Sequence, residues 1–289
     1  MPRQLIITAD DFGIGPETSR GILELAVRGT ITSTVLLVNS PFAEEGVRQW
    51  NQRGRPLELG WHPCLTLDSP LTNDVPSLVG PDGRFQSLGS LLKKIVLKRI
   101  VASELKTELR AQYQRFRDLV GHEPRNINGH HHVHIFEPVA AVLATILSEQ
   151  VHTPYVRRVI ESKRTLLKVK GARIKRLVLS RFGKRVTKDF PGNDTLLGIT
   201  DPPFVHDEQF FLRWLSHARG ECLELTCHPG HLDATLVGRD GSLADGQLHR
   251  RAAEFARLSN PVFLECLKAQ GFQIVSAEKL TLGTRAMVA

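Results

Sequence analysis

The amino-acid sequence predicts an α/β domain of parallel βα units, wound either as a barrel or as a doubly wound sheet. Short runs rich in β-branched residues alternate along the whole chain with longer stretches of helical periodicity. Several of those runs end in polar side chains, as strands do at the carboxyl edge of open α/β sheets and barrels, where ligands are handled. At 289 residues the chain suits one such domain, so residues 1–289 are read as a single unit.

The first strand is Leu5-Ile6-Ile7-Thr8-Ala9, which stops at two adjacent carboxylates, Asp10 and Asp11, before Phe12 and Gly13. Pro16 then suits the first position of a helix, and Ile22, Leu23, Leu25 and Ala26 give that helix an apolar face as far as Arg28, before Gly29. One of the two acids has a structural alternative as the cap of this helix. Capping leaves the other without a purpose, since neighbouring like charges repel unless something positive lies between them. Ile31 to Val38 reads as a buried strand, Phe42 to Arg53 as a helix, and Leu57 to Trp61 as a strand delivering His62. Residues 68–86 carry Pro70, Pro76, Pro81 and Asp82-Gly83, and read as a flap-like loop of the kind that covers a substrate.

Ser90 to Val120 has the pattern of one long helix, and Arg125 to Gly129 of a strand leading into His130-His131-His132-Val133-His134. Strand alternation there predicts that His130, His132 and His134 share one face and His131 points away. Pro138 to Gln150 returns to helix, Tyr155 to Ile160 to strand, and Gly192 to Asp201 reads as irregular. A helix over Asp207 to Arg219 precedes the strand Cys222 to Cys227, which ends at His228-Pro229-Gly230. Helices at Gln247 to Leu258 and Pro261 to Ala269 and a strand at Phe272 to Val275 close the chain.

Composition narrows the function classes. The apolar runs are too short for a membrane span or a signal peptide, which points to a soluble cytoplasmic protein. The four cysteines form no CxxC pair and suit free thiols in a reducing compartment. The net charge of +8 is concentrated: residues 157–188 hold thirteen Lys and Arg against one acid, a local +12, which leaves −4 for the rest. Within this basic insertion Ile174, Leu177, Val178 and Phe182 fall at helical spacing and predict an amphipathic helix with a cationic face. A solvated outer helix is its simplest reading, followed by docking to an anionic membrane. Nucleic acid ranks last, because no aromatic interleaving or binding motif accompanies the charge.

The acid pair, His62, the cluster at His130 and His228 all stand at predicted strand ends, which a parallel βα fold brings to one face. Asp11, His62 and His130 together supply one oxygen and two imidazoles, a ligand set that leaves a divalent ion open to water. Taken singly, each has a plainer reading. His62 alone is a structural histidine, four histidines in five residues can be an unstructured metal-binding tract, and His228 can simply end its strand.

The ordered motifs Thr8-Ala9-Asp10-Asp11-Phe12-Gly13, Gly60-Trp61-His62-Pro63-Cys64-Leu65-Thr66, Asn128-Gly129-His130-His131-His132-Val133-His134 and Glu224-Leu225-Thr226-Cys227-His228-Pro229-Gly230 resemble those of the YdjC-like carbohydrate deacetylases. That family includes chitooligosaccharide deacetylases and hopanoid-associated deacetylases. The resemblance runs from residue 4 to about residue 275. It implies a distorted (β/α) TIM-like barrel, one divalent metal ion (Mg or Zn), an acetylated amino-sugar substrate, oligomeric or lipid-linked, and a homodimer. Carried over by position, it makes Asp11, His62 and His130 the metal ligands, Asp10 the catalytic base and His228 the general acid.

Asn128, His132, His134 and Arg157 are expected to touch substrate or support the site, although Arg157 reads more simply as the start of the basic run. The chain departs from the family pattern at Asn128, where Asp is common, and at Trp61 and His231. The implied activity is N-acetyl hydrolysis by metal-activated water. The alternatives are a metallohydrolase of another bond, such as a phosphoester, and an inactive sugar- or membrane-binding homologue. A site at the inner face of the membrane suits a lipid-linked substrate.

Overall fold

Eight strands, β1 (Arg3–Phe12), β2 (Ser33–Leu36), β3 (Glu58–Trp61), β4 (Asn126–Ile127), β5 (Tyr155–Val156), β6 (Thr195–Leu197), β7 (Cys222–Cys227) and β8 (Phe272–Ile274), form one all-parallel sheet in the computed structural model. The structure describes residues 2–186, 189–241 and 246–280. The strand order is β5-β4-β3-β2-β1-β7-β6, with β8 against the first residues of β1. The two ends of that path approach each other. The Val156 amide donates to the Pro191 carbonyl at 2.8 Å and the Leu196 amide to Ile160 at 2.7 Å. The Asn193 side chain bonds both the amide and the carbonyl of Arg158, each at 2.8 Å. The sheet therefore curls into a distorted (β/α) barrel, the first of the two predicted architectures and the one the resemblance implies.

Helices α1 (Pro16–Val27), α2 (Ala43–Gln52), α3 (Leu88–Val96), α4 (Ala102–Val120), α5 (Val139–Ser148), α6 (Lys163–Lys168), α7 (Arg173–Val186), α8 (Phe210–His217), α9 (Gln247–Ser259) and α10 (Pro261–Ala269) surround it. Alternation along β1 divides its side chains. Leu5, Ile7 and Ala9 join the large core cluster with Ile22 and Leu25 of α1, while Ile6 packs with Tyr155, Val275 and Ala277 in a separate cluster. Gly60 is required where β3 crosses β4, since a Cβ there would lie 2.2 Å from the Asn126 carbonyl oxygen.

Several predicted elements are corrected. The expected helix over 90–120 is two, broken at Leu97–Val101, where Lys98 takes a left-handed φ of 52°. The segment read as irregular holds β6, whose three residues are too few to show a period. The loop 68–86 folds back on α4: Glu108 accepts the amides of Leu71 and Thr72, and Glu104 that of Ser77. In the basic segment, 187–188 lie outside the described residues.

The amphipathic face of α7 is inverted relative to expectation. Arg176 is buried, salt-bridged to Glu161, bonded to the carbonyls of Thr165, Val169 and Gly171, and set 4.4 Å over the Trp214 ring. Ile174, Leu177, Val178 and Phe182 are exposed. Among the described residues no helix is long and apolar enough to cross a membrane, and the four cysteines are unbridged.

Candidate metal centre and active site

Both carboxylates at the end of β1 face one cavity of about 130 Å³, because the strand is irregular there. In a regular strand two neighbours point to opposite faces. Between Ala9 and Phe12 the pairing with β2 shifts register, and Asp11 adopts a left-handed φ of 67°. This bulge re-aims the second acid beside the first. The capping alternative is excluded for either acid: the first amides of α1, Glu17 and Thr18, donate to Asp233 Oδ2 at 2.9 and 3.4 Å.

Asp11, His62 and His130 present ligand atoms that all lie within 4.8 Å of one another, and all three residues are buried. His62 Nδ1 donates to the Asn128 carbonyl at 2.6 Å, so its Nε2 lone pair is turned toward Asp11 Oδ1, 3.2 Å away. Two acceptors at that separation call for a cation or a proton between them. His130 Nδ1 lies 2.9 Å from the same Oδ1, and its buried Nε2 has no protein partner. Arg251 holds the other oxygen, Oδ2, at 2.7 Å and also binds Asp240 at 2.7 Å. Burial pushes the Asp11 carboxyl up, but Arg251 and then His130 outweigh it and hold the group well below the carboxylate range. Burial opposes charge on His130, and Asp11 nevertheless raises its pKa. One carboxylate oxygen and two imidazoles on an ionised, pre-oriented cluster fit a single divalent ion.

Asp10 is bound differently. Arg157 clasps it through Nη1–Oδ2 at 2.6 Å and Nη2–Oδ1 at 2.8 Å, Thr226 Oγ1 donates to Oδ2 at 3.0 Å, and Asn128 Nδ2 to Oδ1 at 3.3 Å. An aspartate at 128 would set a further negative charge against Asp10, whereas asparagine donates to it. Burial disfavours the charged form of Asp10, but the Arg157 guanidinium prevails and keeps it ionised far below the usual range. Arg157 is fully buried, and its Nε and Nη2 also bind Glu224 at 2.9 and 2.7 Å. It is thus part of the barrel interior and not the start of an exposed basic run.

His228 follows β7, and the loop it begins is seated on α1 where Gly21 and Gly230 approach so closely that a Cβ on Gly21 would lie 3.0 Å from the Gly230 Cα. Its Nε2 is 3.9 Å from Asp10 Oδ2. Arg250 Nη2 donates to His228 Nδ1 at 3.2 Å, and Glu254 accepts both the His228 amide and Arg250 Nε. Because a guanidinium only donates, the neutral ring carries its proton on Nε2, toward the cavity. Burial, reinforced by Arg250, lowers the His228 pKa to about 4.

The histidine cluster does not continue a strand. β4 ends at Ile127, and His130–Ile135 form a 3₁₀ turn in which His131 and His132 both take left-handed φ, 53° and 59°. Strand alternation therefore does not apply. His130, His131 and His132 all line the cavity. His134 is structural: its Nδ1 accepts the Gly129 amide at 2.9 Å, its Nε2 donates to the Arg157 carbonyl at 3.0 Å, and burial lowers its pKa to about 3. Two residues that depart from the family pattern lie outside the cavity lining: Trp61 packs on Tyr113 and His231 meets Glu24 at 3.1 Å. No residue of 68–86 lines the cavity either.

Lys175, Asp240, Arg250 and Arg251 also line the cavity, and sequence reasoning missed them. A signal for two of them was present. The buried residues of α9 are Leu248, Arg250, Arg251, Glu254 and Leu258, so charges occupy the core-facing stripe of the helix. Such positions hold charge only where something pairs it.

A family model described as YdjC-like protein matches residues 4–269. A chitooligosaccharide deacetylase of Klebsiella pneumoniae (strain 342) is 34% identical over 242 residues, covering 82% of this chain and 86% of that one. A carbohydrate deacetylase of Geobacillus stearothermophilus is 30% identical over 276 residues, covering 96% and 97%. Among solved structures, a candidate cellobiose-phosphate cleavage protein of Enterococcus faecalis V583 superposes with a TM-score of 0.74 at 26% identity, over 97% of this chain and 100% of that one.

Proposed function

This chain belongs to the YdjC-like family, and on that premise we propose that it is a carbohydrate deacetylase that hydrolyses the N-acetyl group of an amino sugar with one divalent ion, Zn or Mg, held by Asp11, His62 and His130. The observation that carries this is the division of the acid pair: Asp11 lies in the His62–His130 cluster, while Asp10 faces the same cavity outside it. When bound, the ion would acidify a water molecule and polarise the acetyl carbonyl.

Asp10, ionised and fixed by Arg157, takes a proton from the attacking water. His228 offers its Nε2–H to the departing nitrogen. Because that ring is neutral above about pH 4 in the resting site, the acid role read from the sequence narrows to hydrogen-bond donation. The proton that the amine needs comes back from Asp10, whose Oδ2 lies 3.9 Å from His228 Nε2. Water thus supplies the hydroxyl of acetate and, through Asp10, the hydrogen of the amine, so the atoms balance. His132, buried beside the cavity with Nδ1 unpartnered, is proposed to meet the sugar.

The deciding experiment is acetate release from N-acetylglucosamine oligomers by the purified protein, repeated with chelator and with Zn or Mg restored. Metal-dependent acetate release is the expected result. Release of phosphate from sugar phosphates, with no acetate, would transfer the site to phosphoester hydrolysis. The homodimer and the anionic-membrane contact belong to the same proposal and are tested by sedimentation velocity and by co-sedimentation with anionic vesicles.

A further inference from the structure

Four residues that line the catalytic cavity each carry a buried side-chain atom without a partner among the described residues: His130 Nε2, His132 Nδ1, Thr200 Oγ1 and Arg251 Nη1. His130 Nε2 falls to the proposed ion and His132 Nδ1 to the sugar. The Thr200 hydroxyl rotates to donate or accept as its surroundings require. Arg251 Nη1 differs from all three. A guanidinium only donates and stays charged, so a buried N–H of this kind calls for an acceptor.

The two other arginines at the site have spent their terminal nitrogens. Arg157 gives both to Asp10, and Arg250 directs Nη2 to His228 and Nη1 to the Thr200 carbonyl, at 3.2 and 3.5 Å. Arg251 gives Nη2 alone, which binds Asp11 Oδ2 and Asp240 Oδ2, each at 2.7 Å. Those two carboxylates fix the guanidinium, and its backbone is held as well, since the Arg251 carbonyl accepts the Gly230 amide at 3.1 Å. Nη1 shares one rigid plane with Nη2. The unspent donor therefore stands beside the carboxylate of the metal cluster, on a side chain only 4% exposed. A donor fixed in advance and shielded from water is worth most where negative charge develops.

We infer that Arg251 is a catalytic residue whose Nη1–H donates to the acetyl oxygen as that oxygen becomes the oxyanion of the tetrahedral intermediate. This rests on the deacetylase proposal above. As the water oxygen bonds to the acetyl carbon, the π pair of the carbonyl moves onto its oxygen; collapse returns that pair and breaks the C–N bond. Arg251 keeps its protons throughout and transfers nothing. Its hydrogen bond strengthens as charge grows on the oxygen, so it raises kcat and adds little to substrate affinity. A sugar hydroxyl in the same place would gain no charge and would give the opposite pattern.

The test is Arg251→Lys, which keeps one cation between Asp11 and Asp240 and removes the second arm. Acetate release from N-acetylglucosamine oligomers gives kcat and KM, and calorimetry gives the affinities for zinc, for glucosamine and for the methylphosphonamidate of glucosamine, a tetrahedral oxyanion. The variant is expected to lose about 100-fold in kcat and a similar factor in affinity for the phosphonamidate. Its KM, zinc affinity and glucosamine affinity are expected to stay within about threefold of wild type. A crystal structure of the zinc-loaded wild type with the phosphonamidate, which needs no variant to fold, is expected to place a phosphonyl oxygen within hydrogen-bond distance of Nη1.

A raised KM at unchanged kcat would give Nη1 to a sugar hydroxyl and overturn the inference while the deacetylase proposal stands. So would a loss of zinc affinity as large as the loss in kcat, which would make Arg251 a support for Asp11 alone, or a complex in which Nη1 meets no ligand atom. No acetate from wild type, with the phosphonamidate bound more tightly by wild type than by Arg251→Lys, would overturn the reaction and keep the oxyanion donor. No acetate and equal binding of the phosphonamidate by both proteins would overturn both.

Discussion

Arg157 closes on Asp10 with both terminal guanidinium nitrogens, at 2.6 and 2.8 Å, across 147 residues of chain. The same guanidinium binds Glu224, so one buried cation serves two buried carboxylates. Removing one partner of a buried ionic network strands the others and typically costs about 3–5 kcal/mol. Arg157→Met is accordingly expected to unfold at markedly lower denaturant concentration than wild type. Arg157→Lys, which keeps the charge and loses the two-pronged grip, is expected to remain folded with kcat down at least about tenfold. Chemical denaturation paired with acetate release checks both.

The two aspartates are predicted to fail in different ways. Asp11→Asn removes the charge of the proposed ligand and should weaken metal binding by at least about 100-fold. Asp10→Asn should bind metal as wild type does and lose about 100-fold or more in kcat. Metal titration by calorimetry and steady-state rates separate them; an Asp10→Asn enzyme as fast as wild type would end the assignment of Asp10 as base.

Arg250 is predicted to set the state of His228. Its guanidinium occupies Nδ1 and, after burial, is the main cause of the ring's depressed pKa of about 4. In Arg250→Met the ring is expected to protonate at higher pH, moving the acid limb of the kcat profile upward by about one pH unit. Arg250→Lys, which restores a nearby positive charge, should recover most of the wild-type profile. A structural role alone would lower rates without moving that limb.

Glu58 makes stability fall toward alkaline pH. Burial raises its carboxyl from 4.5 to about 8, against the weaker opposing effects of the Ala277 backbone and Arg125. A folded-state pKa above the unfolded one means that the folded protein holds an extra proton between those values. The contribution is full below about pH 4.5 and is lost as pH rises through about 8. Glu58→Gln should therefore flatten the decline, raising Tm at pH 8.5 by about 2–4 °C, equivalent to about 1 kcal/mol. Thermal melts of both proteins between pH 5 and 9 measure it.

Local patterns in the sequence carried much of this protein. The alternation of β-branched runs with helical periods shows parallel βα units, and the positions of Asp10, Asp11, His62, His130 and His228 at or just beyond strand ends bring residues of four distant segments to one cavity. Such patterns are legible because hydrophobic period and strand polarity are properties of neighbouring residues. What they do not contain is pairing at long range. The cap of α1 comes from Asp233, the partner of Asp10 from Arg157, and the charges that fix Asp11 and His228 from Arg251 and Arg250.

Geometry below the length of a period was equally hidden. The bulge that turns Asp11 into the cavity, the 3₁₀ turn that replaces a strand at His130, and the outward rotation of the apolar side of α7 each depend on a few backbone angles or on one buried arginine. The sequence by itself determined which chemistry is available and at which end of the strands. The tertiary structure alone decided which acid meets the histidines and which is held by arginine, because ion pairs buried inside a curled sheet are chosen by the closing of the whole barrel and not by any one segment.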